Sequence, residues 1–128
     1  DIDHFKAYND LYGHEEGDQC LKKIASMTSE YTCEKKGLLA RYGGEEFASI
    51  FVGDSNEEVF EIAENIRKKI YDSKIPNENS LVEPFVTVSI GIASVIPTQE
   101  TSCKSMIESA DKQLYLAKKT GRNKICMI

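Results

Sequence analysis

The sequence predicts an α+β fold in which helices flank a central mixed, largely antiparallel sheet. Apolar residues recur with helical spacing in three segments and alternate with polar residues in three others, and helices and strands mostly alternate along the chain. One pair of strands, however, is separated only by a short turn at Gly43-Gly44, which indicates a β-hairpin. Because a hairpin is antiparallel, it excludes a doubly wound, wholly parallel sheet.

The first half of the chain is predicted to contain two helices and the hairpin. Residues 1–3 form the end of a strand that runs directly into a short helix over residues 4–13. A second helix covers residues 15–32, and its inner stripe consists of Leu21, Ile24, Ala25 and Thr28. The hairpin spans residues 38–52, and its turn needs backbone angles that glycine adopts at little cost.

The second half alternates helices with strands. Ser55 and Glu58 form a capping box that begins a helix extending to Asp72, with one apolar face made of Val59, Ile62, Ile66 and Ile70. Residues 85–93 form a strand whose apolar face consists of Val86, Val88, Ile90 and Ile92. The last helix follows its cap, Ser102, and carries an apolar stripe of Met106, Ala110, Leu114 and Ala117. Residues 124–128 form the final strand.

Length and composition describe one ordinary globular domain over residues 1–128, with 41% hydrophobic and 29% charged residues. The net charge of −5 and the absence of a basic run argue against a surface for nucleic acid or anionic membranes. No apolar stretch approaches the ~20 residues that span a bilayer. The four cysteines lack the spacing of zinc ligands, and we expect free thiols and a cytoplasmic location, with a disulfide or redox switch as the alternative.

Two acidic segments contain the residues best suited to bind a divalent cation. Glu45 and Glu46 follow the predicted hairpin turn, and the segment Asp1-Ile2-Asp3 ends the first strand. If these strands are neighbours, their carboxylates meet at one end of the sheet, and oxygen ligands of this kind suit Mg²⁺ or Mn²⁺. The alternative is that the hairpin acids are merely solvated.

Four blocks of sequence resemble the GGDEF domain, the diguanylate cyclase family, in its common GGEEF variant. The blocks are DIDHFKAYNDLYGHEEGD at the start, RYGGEEF in the hairpin, Val86–Ala93 and Ala110–Asn123. They cover essentially the whole chain in order, and the resemblance implies a ferredoxin-like, nucleotidyl-cyclase (palm-like) architecture. In that family a helix and the rest of the first strand precede the position of Asp1, so the resemblance implies that this chain lacks both.

The resemblance implies a metal site and a base at the sheet end. Asp1, Glu45 and the Ile2 carbonyl would bind magnesium or manganese, two ions per site, with Glu46 as a second acidic ligand from the hairpin. Glu45 is also the family's candidate catalytic base.

The resemblance also implies a triphosphate site. The backbone amides of His4 and Phe5, at a helix start, would contact phosphate, and Lys6 would stabilise charge in the transition state. Lys118 and Arg122 match the family's late phosphate contacts, and Gly43 and Gly44 would allow close approach of the nucleotide. The alternatives are a surface lysine at position 6 and cations attracted to a helix carboxy terminus at 118 and 122.

Asn9 and Asp18 match the family's guanine-reading pair. A carboxylate can accept hydrogen bonds from the ring N–H and the exocyclic amine of guanine, and adenine presents no such pair of donors. The alternatives are a polar residue near a helix end at Asn9 and an acid favoured by the helix dipole at Asp18.

The implied activity is condensation of two GTP into cyclic di-GMP with release of pyrophosphate, in bacterial second-messenger signalling. It implies a homodimer with one GTP per subunit, and an upstream sensory domain in a larger cytoplasmic or membrane-bound sensor protein. The alternatives are a non-catalytic module that binds GTP or cyclic di-GMP, another metal-dependent nucleotidyl cyclase, and an inactive fragment. Many members carry an inhibitory RxxD motif where this chain has Glu34-Lys35-Lys36-Gly37, so we expect no product inhibition through that segment.

Overall fold

Four helices and four strands follow one another in the predicted order in a computed structural model that describes all residues 1–128. The helices are α1 (Phe5–Tyr12), α2 (His14–Glu34), α3 (Asn56–Ser73) and α4 (Cys103–Lys119). The strands are β1 (Leu38–Gly43), β2 (Glu46–Ile50), β3 (Ile90–Ile92) and β4 (Ile125–Met127). The α+β prediction is confirmed, and the predicted capping box at Ser55 and Glu58 is formed.

The strands form two separate two-stranded sheets rather than the one central sheet that the sequence predicted. β1 and β2 form an antiparallel hairpin, whereas β3 and β4 pair in parallel. Residues 1–3 add a further antiparallel connection through an isolated bridge between Ile2 and Val88. The segment before α1 therefore lies beside the segment that leads into β3.

The predicted strand over residues 85–93 is regular only at β3. Its first part makes isolated bridges, Phe85 with Pro76 and Val88 with Ile2. Both faces of this part are buried: the polar residues Thr87 and Ser89 are 1% and 0% exposed. The sequence predicted the apolar face but gave no indication that the polar face would be enclosed as well.

The core lies between α2, α3 and the segments around β3, with α4 packed directly on β3. Ile24, Ile66 and Ile70 are among its buried members, which supports the predicted inner faces of α2 and α3. A Cβ at Gly91 would lie 2.3 Å from the Ala110 carbonyl oxygen, so only glycine permits this approach of α4. Of the apolar stripe of α4, Ala117 is fully buried and Met106 is 37% exposed, so the stripe is not buried along its whole length. None of the helices has the length and apolarity needed to cross a membrane.

Candidate functional site

Residues 1–3 lie between the hairpin turn and the segment before β3. The N–H of Ile2 donates to the carbonyl of Glu45 over 3.3 Å, and the N–H of Asp3 donates to the carbonyl of Thr87 over 2.9 Å. The two acidic segments of the sequence are therefore neighbours at one end of the sheet. The Ile2 carbonyl accepts no hydrogen bond, so its lone pairs are free for a ligand.

Glu45 lies within the hairpin turn itself, one residue earlier than the sequence suggested. Gly44 and Glu45 connect β1 to β2, and Gly44 has a φ of 49°, which explains why glycine stands there. The Arg41 side chain holds the turn by donating to the Gly44 carbonyl over 2.9 Å. Glu45 and Glu46 are half-buried and form no ion pair, so both carboxylates are available.

The Asp1 carboxylate is paired with Lys118. The ammonium nitrogen of Lys118 lies 3.0 Å from Oδ2 of Asp1, whose side chain is only 6% exposed. No three His, Cys, Asp or Glu side chains converge in an arrangement that could hold a metal ion. A predicted metal ligand and a predicted phosphate contact are thus brought together, and they neutralise each other.

The carboxylates of Asp3, Glu45 and Glu46 lie close enough to the backbone of residue 1 for their charges to act there. The site therefore gathers several negative charges around one buried carboxylate.

The start of α1 offers unpartnered backbone amides. None of the N–H groups of residues 4–7 donates a hydrogen bond, and His4 has a left-handed backbone with φ 52°. The predicted amide contacts, His4 and Phe5, lie in this stretch, while the Phe5 ring is buried in the core. Lys6 is exposed and unpaired. This helix start has the groups that bind phosphate.

Asn9 and Asp18 are brought together across α1 and α2. Oδ1 of Asn9 is buried without a hydrogen-bond partner. A Cβ placed on Gly17 would lie 1.8 Å from that oxygen, so the Asn9 amide fills the space beside Gly17. Asp18 is the next residue and is exposed. An unsatisfied buried acceptor next to an exposed carboxylate is consistent with a ligand-binding pair.

Asp3 is the main residue of this region that the sequence analysis left out of the candidate site. Its carboxylate is 1% exposed and accepts hydrogen bonds from the hydroxyls of Thr87, over 2.8 Å, and Ser89, over 2.7 Å. It also accepts from the backbone N–H of Asn123 over 3.1 Å. The sequence held no signal for this role, because polar residues at alternate positions are equally typical of a strand face exposed to solvent.

The loop after α4 is held in an unusual backbone conformation. Arg122 and Asn123 both have positive φ angles, of 62° and 45°. Asn123 is fixed on its other side by Arg67, whose Nη1 donates to Oδ1 over 2.9 Å. Hydrogen bonds from Arg67 to Glu64 lower the pKa of that carboxyl group and orient the guanidinium. The side chain of Arg122 itself makes no ion pair or hydrogen bond.

A comparison with protein families identifies this arrangement. The family model described as diguanylate cyclase, GGDEF domain, matches residues 1–124. The chain belongs to the GGDEF family. This GGDEF domain is 43% identical over 126 residues to the uncharacterized protein YhcK of Bacillus subtilis, covering 98% of this chain and 34% of that protein. It is 39% identical over 127 residues to diguanylate cyclase A of Treponema denticola, covering 99% of this chain and 33% of that protein.

Solved structures confirm the fold. The GGDEF domain superposes on the coiled coil and GGDEF domain of DgcB from Caulobacter crescentus, in complex with c-di-GMP, with a TM-score of 0.88 and 36% identity. The match covers 100% of this chain and 66% of that one. The predicted palm-like nucleotidyl-cyclase architecture is therefore correct. The domain spans about a third of the length of the two relatives named above.

Proposed function

We propose that this GGDEF domain is a diguanylate cyclase that joins two molecules of GTP into cyclic di-GMP and releases two molecules of pyrophosphate. Membership of the family supports a role in cyclic di-GMP synthesis in general. The observation that carries the proposal for this chain is the hydrogen bond from Ile2 to Glu45, which joins the two acidic segments beside an amide-rich helix start.

The triphosphate would bind where free donors and cations face the same end of the sheet. The amides of residues 4–7 have no internal partner, and the helix dipole adds partial positive charge there. Lys6 and Arg122 make no ion pair, so their charges are available for phosphate oxygens. These groups would hold the reacting phosphate in line with the attacking hydroxyl and stabilise the developing charge.

The oxygen donors of this region are also of the kind that a hard divalent cation prefers. Asp1 and Glu45 provide carboxylate oxygens, the Ile2 carbonyl is unpartnered, and Glu46 lies next along the hairpin. The ammonium of Lys118 on Asp1 indicates that this position stabilises positive charge. When bound here, Mg²⁺ or Mn²⁺, two ions per site, neutralises the triphosphate and makes the 3′-hydroxyl more acidic. Glu45, half-buried in the turn, would accept the proton of that hydroxyl.

Guanine would be read by Asn9 and Asp18. The unpartnered Oδ1 of Asn9 can accept from a guanine N–H group, and the exposed Asp18 carboxylate can accept from a second one. ATP offers no matching pair of donors. We therefore propose GTP rather than ATP as the substrate.

Chemistry would require two copies of the domain. Each site holds one GTP, so two sites must face each other in a two-fold homodimer to form both phosphodiester bonds. Since the relatives are about three times as long as this chain, an upstream sensory or regulatory segment would control that pairing in the parent protein, in the cytoplasm.

Product analysis tests the proposal. The purified chain at high concentration is incubated with GTP and Mg²⁺, then with Mn²⁺, and the products are identified by mass. Cyclic di-GMP supports the cyclase. GTP binding without any product would instead support a non-catalytic GTP-binding module. The ion pair between Asp1 and Lys118 favours this alternative, because it occupies a proposed metal ligand. No binding of GTP would refute both.

A further inference from the structure

The pairing of Asp1 with Lys118 has a consequence for the order in which ligands bind. The carboxylate is 6% exposed, so water solvates it poorly, and Lys118 is the one side-chain cation within ion-pair distance of it. The ammonium therefore compensates most of the charge of a buried carboxylate. Such a carboxylate is a weak ligand for an external cation as long as its partner stays in place.

A divalent cation and the Lys118 ammonium compete for the same carboxylate. With the ammonium 3.0 Å from Oδ2, a metal ion on this carboxylate would lie within a few ångströms of a like charge. Repulsion at such distances is large in a site that water reaches poorly. Binding of the metal therefore requires Lys118 to leave Asp1.

Lys118 can leave, because it lies in the last turn of α4 on a flexible stem and its side chain is 32% exposed. Arg122, four residues further along in the loop after α4, forms no ion pair and is half-buried. A triphosphate held by Arg122 and the amides of α1 would offer Lys118 a new set of oxygen partners.

We propose that Lys118 acts as a tethered counter-ion that keeps Asp1 closed to divalent cations until a nucleoside triphosphate draws the ammonium away. This inference rests on the proposed function, because it assigns the triphosphate to the same site. Metal and nucleotide then favour each other's binding. The nucleotide draws Lys118 away from the carboxylate that the metal needs, and the metal on Asp1 leaves Lys118 free to bind the triphosphate. The nucleotide-free domain binds metal weakly and keeps its buried acid neutralised.

Binding of Mn²⁺ alone, followed by electron paramagnetic resonance on the nucleotide-free chain, tests the proposal. Lys118→Met keeps the apolar stem and removes the charge, and Lys118→Gln is a second variant of the same kind. Lys119→Met is the matched control, because Lys119 is the next lysine along the helix and does not pair with Asp1. Its ammonium lies over the Tyr115 ring, 5.4 Å from the ring centroid. We expect both Lys118 variants to bind Mn²⁺ at least about tenfold more tightly than the original chain, with Lys119→Met unchanged.

The double variant Asp1→Asn with Lys118→Met identifies the site of the gained binding. We expect it to lose that gain. The proposal is overturned if folded Lys118 variants bind Mn²⁺ no more tightly than Lys119→Met, or if the gain persists without the Asp1 carboxylate. Product analysis of the original chain separates this inference from the proposed cyclase activity. If the original chain forms cyclic di-GMP but the Lys118 variants gain no Mn²⁺ affinity, only this inference is refuted. If the variants gain Mn²⁺ affinity but the original chain forms no product, only the cyclase proposal is refuted.

Discussion

The backbone N–H of Asn123 donates to Oδ2 of Asp3 over 3.1 Å, across 120 residues of sequence. Asp3 also accepts from the hydroxyls of Thr87 and Ser89, so one buried carboxylate joins the first strand segment, the segment before β3 and the loop after α4. That loop carries Arg122, and the helix before it carries Lys118. The position of both predicted phosphate contacts thus depends on Asp3.

Replacing Asp3 is expected to destabilise the fold strongly. Asp3→Ala leaves two buried hydroxyls and one partly buried amide without an acceptor, and each buried group of this kind costs about 1–3 kcal/mol. We expect the free energy of unfolding to fall by about 3 kcal/mol or more, measured by urea denaturation. Asp10→Ala, at an exposed position of α1, is the control and should change it by less than about 0.5 kcal/mol. An Asp3→Ala variant as stable as Asp10→Ala would contradict the network.

Gly17→Ala is expected to weaken GTP binding without unfolding the domain. The added Cβ would lie 1.8 Å from Oδ1 of Asn9, and the Asn9 side chain can move away to relieve the clash. The amide then no longer faces guanine, which should lower GTP affinity roughly tenfold or more. Fluorescence titration with a GTP analogue measures this.

A double-mutant cycle separates this cause from general damage. Because both changes act through the same amide, Gly17→Ala combined with Asn9→Ala should lose little more than Asn9→Ala alone. Ser26→Ala, on an exposed position of α2, should bind as the original chain does. The role assigned to Asn9 would be excluded if the losses of GTP affinity in the two single variants added up in the double variant. It would also be excluded if Gly17→Ala bound GTP as tightly as the original chain.

Cys20 is expected to make stability depend on pH in the alkaline range. Burial raises the pKa of this thiol from 9.0 to about 11. Between these values the folded chain keeps a proton that the unfolded chain loses, so the free energy of unfolding falls as the pH rises from about 9 to 11. The loss in the original chain should exceed that in Cys20→Ala by about 2 kcal/mol. Burial also raises the pKa of Tyr8, so a smaller loss should remain in Cys20→Ala.

Thiol alkylation at pH 8 provides an independent check of the same burial. All four cysteines are free, and Cys33 and Cys103 are exposed. Mass analysis of the folded chain should find these two modified by iodoacetamide and Cys20 unmodified until urea is added. Rapid modification of Cys20 in the folded chain would show that its burial is wrong.

Cyclic di-GMP is expected not to inhibit through residues 34–37. Lys35, the central cation of this segment, is already paired with Glu58 over 3.1 Å, and no arginine is present. Calorimetry on nucleotide-free protein should give the same product affinity for the original chain and for Lys35→Ala. Tight product binding that this substitution abolishes would contradict the prediction.

Most of the fold could be predicted from the sequence because its signals are local. Helix periodicity, the capping box at Ser55 and the glycine at the hairpin turn each depend on residues a few positions apart. The enclosure of Thr87 and Ser89 could not be predicted, because it depends on a carboxylate more than eighty residues away. Alternation within one strand does not reveal what covers its polar face.

The pairings within the candidate site could not be predicted from the sequence. The sequence named Asp1 and Lys118 as contacts for metal and phosphate, and only the structure brings them together as an ion pair. The importance of Gly17 likewise appears only when α1 and α2 are packed, since it depends on the space that the Asn9 amide fills. Tertiary packing decides both points.

We expect the reaction to take place where the Ile2 N–H donates to the Glu45 carbonyl. The rate of cyclic di-GMP formation by Glu45→Gln tests this most directly. Glu57→Gln, an exposed acid in the first turn of α3, is the control. With GTP and Mg²⁺, we expect product from the original chain and from Glu57→Gln. Glu45→Gln should give at most about one hundredth of that rate, while keeping the same unfolding midpoint. Turnover by folded Glu45→Gln at the rate of the control would contradict the account.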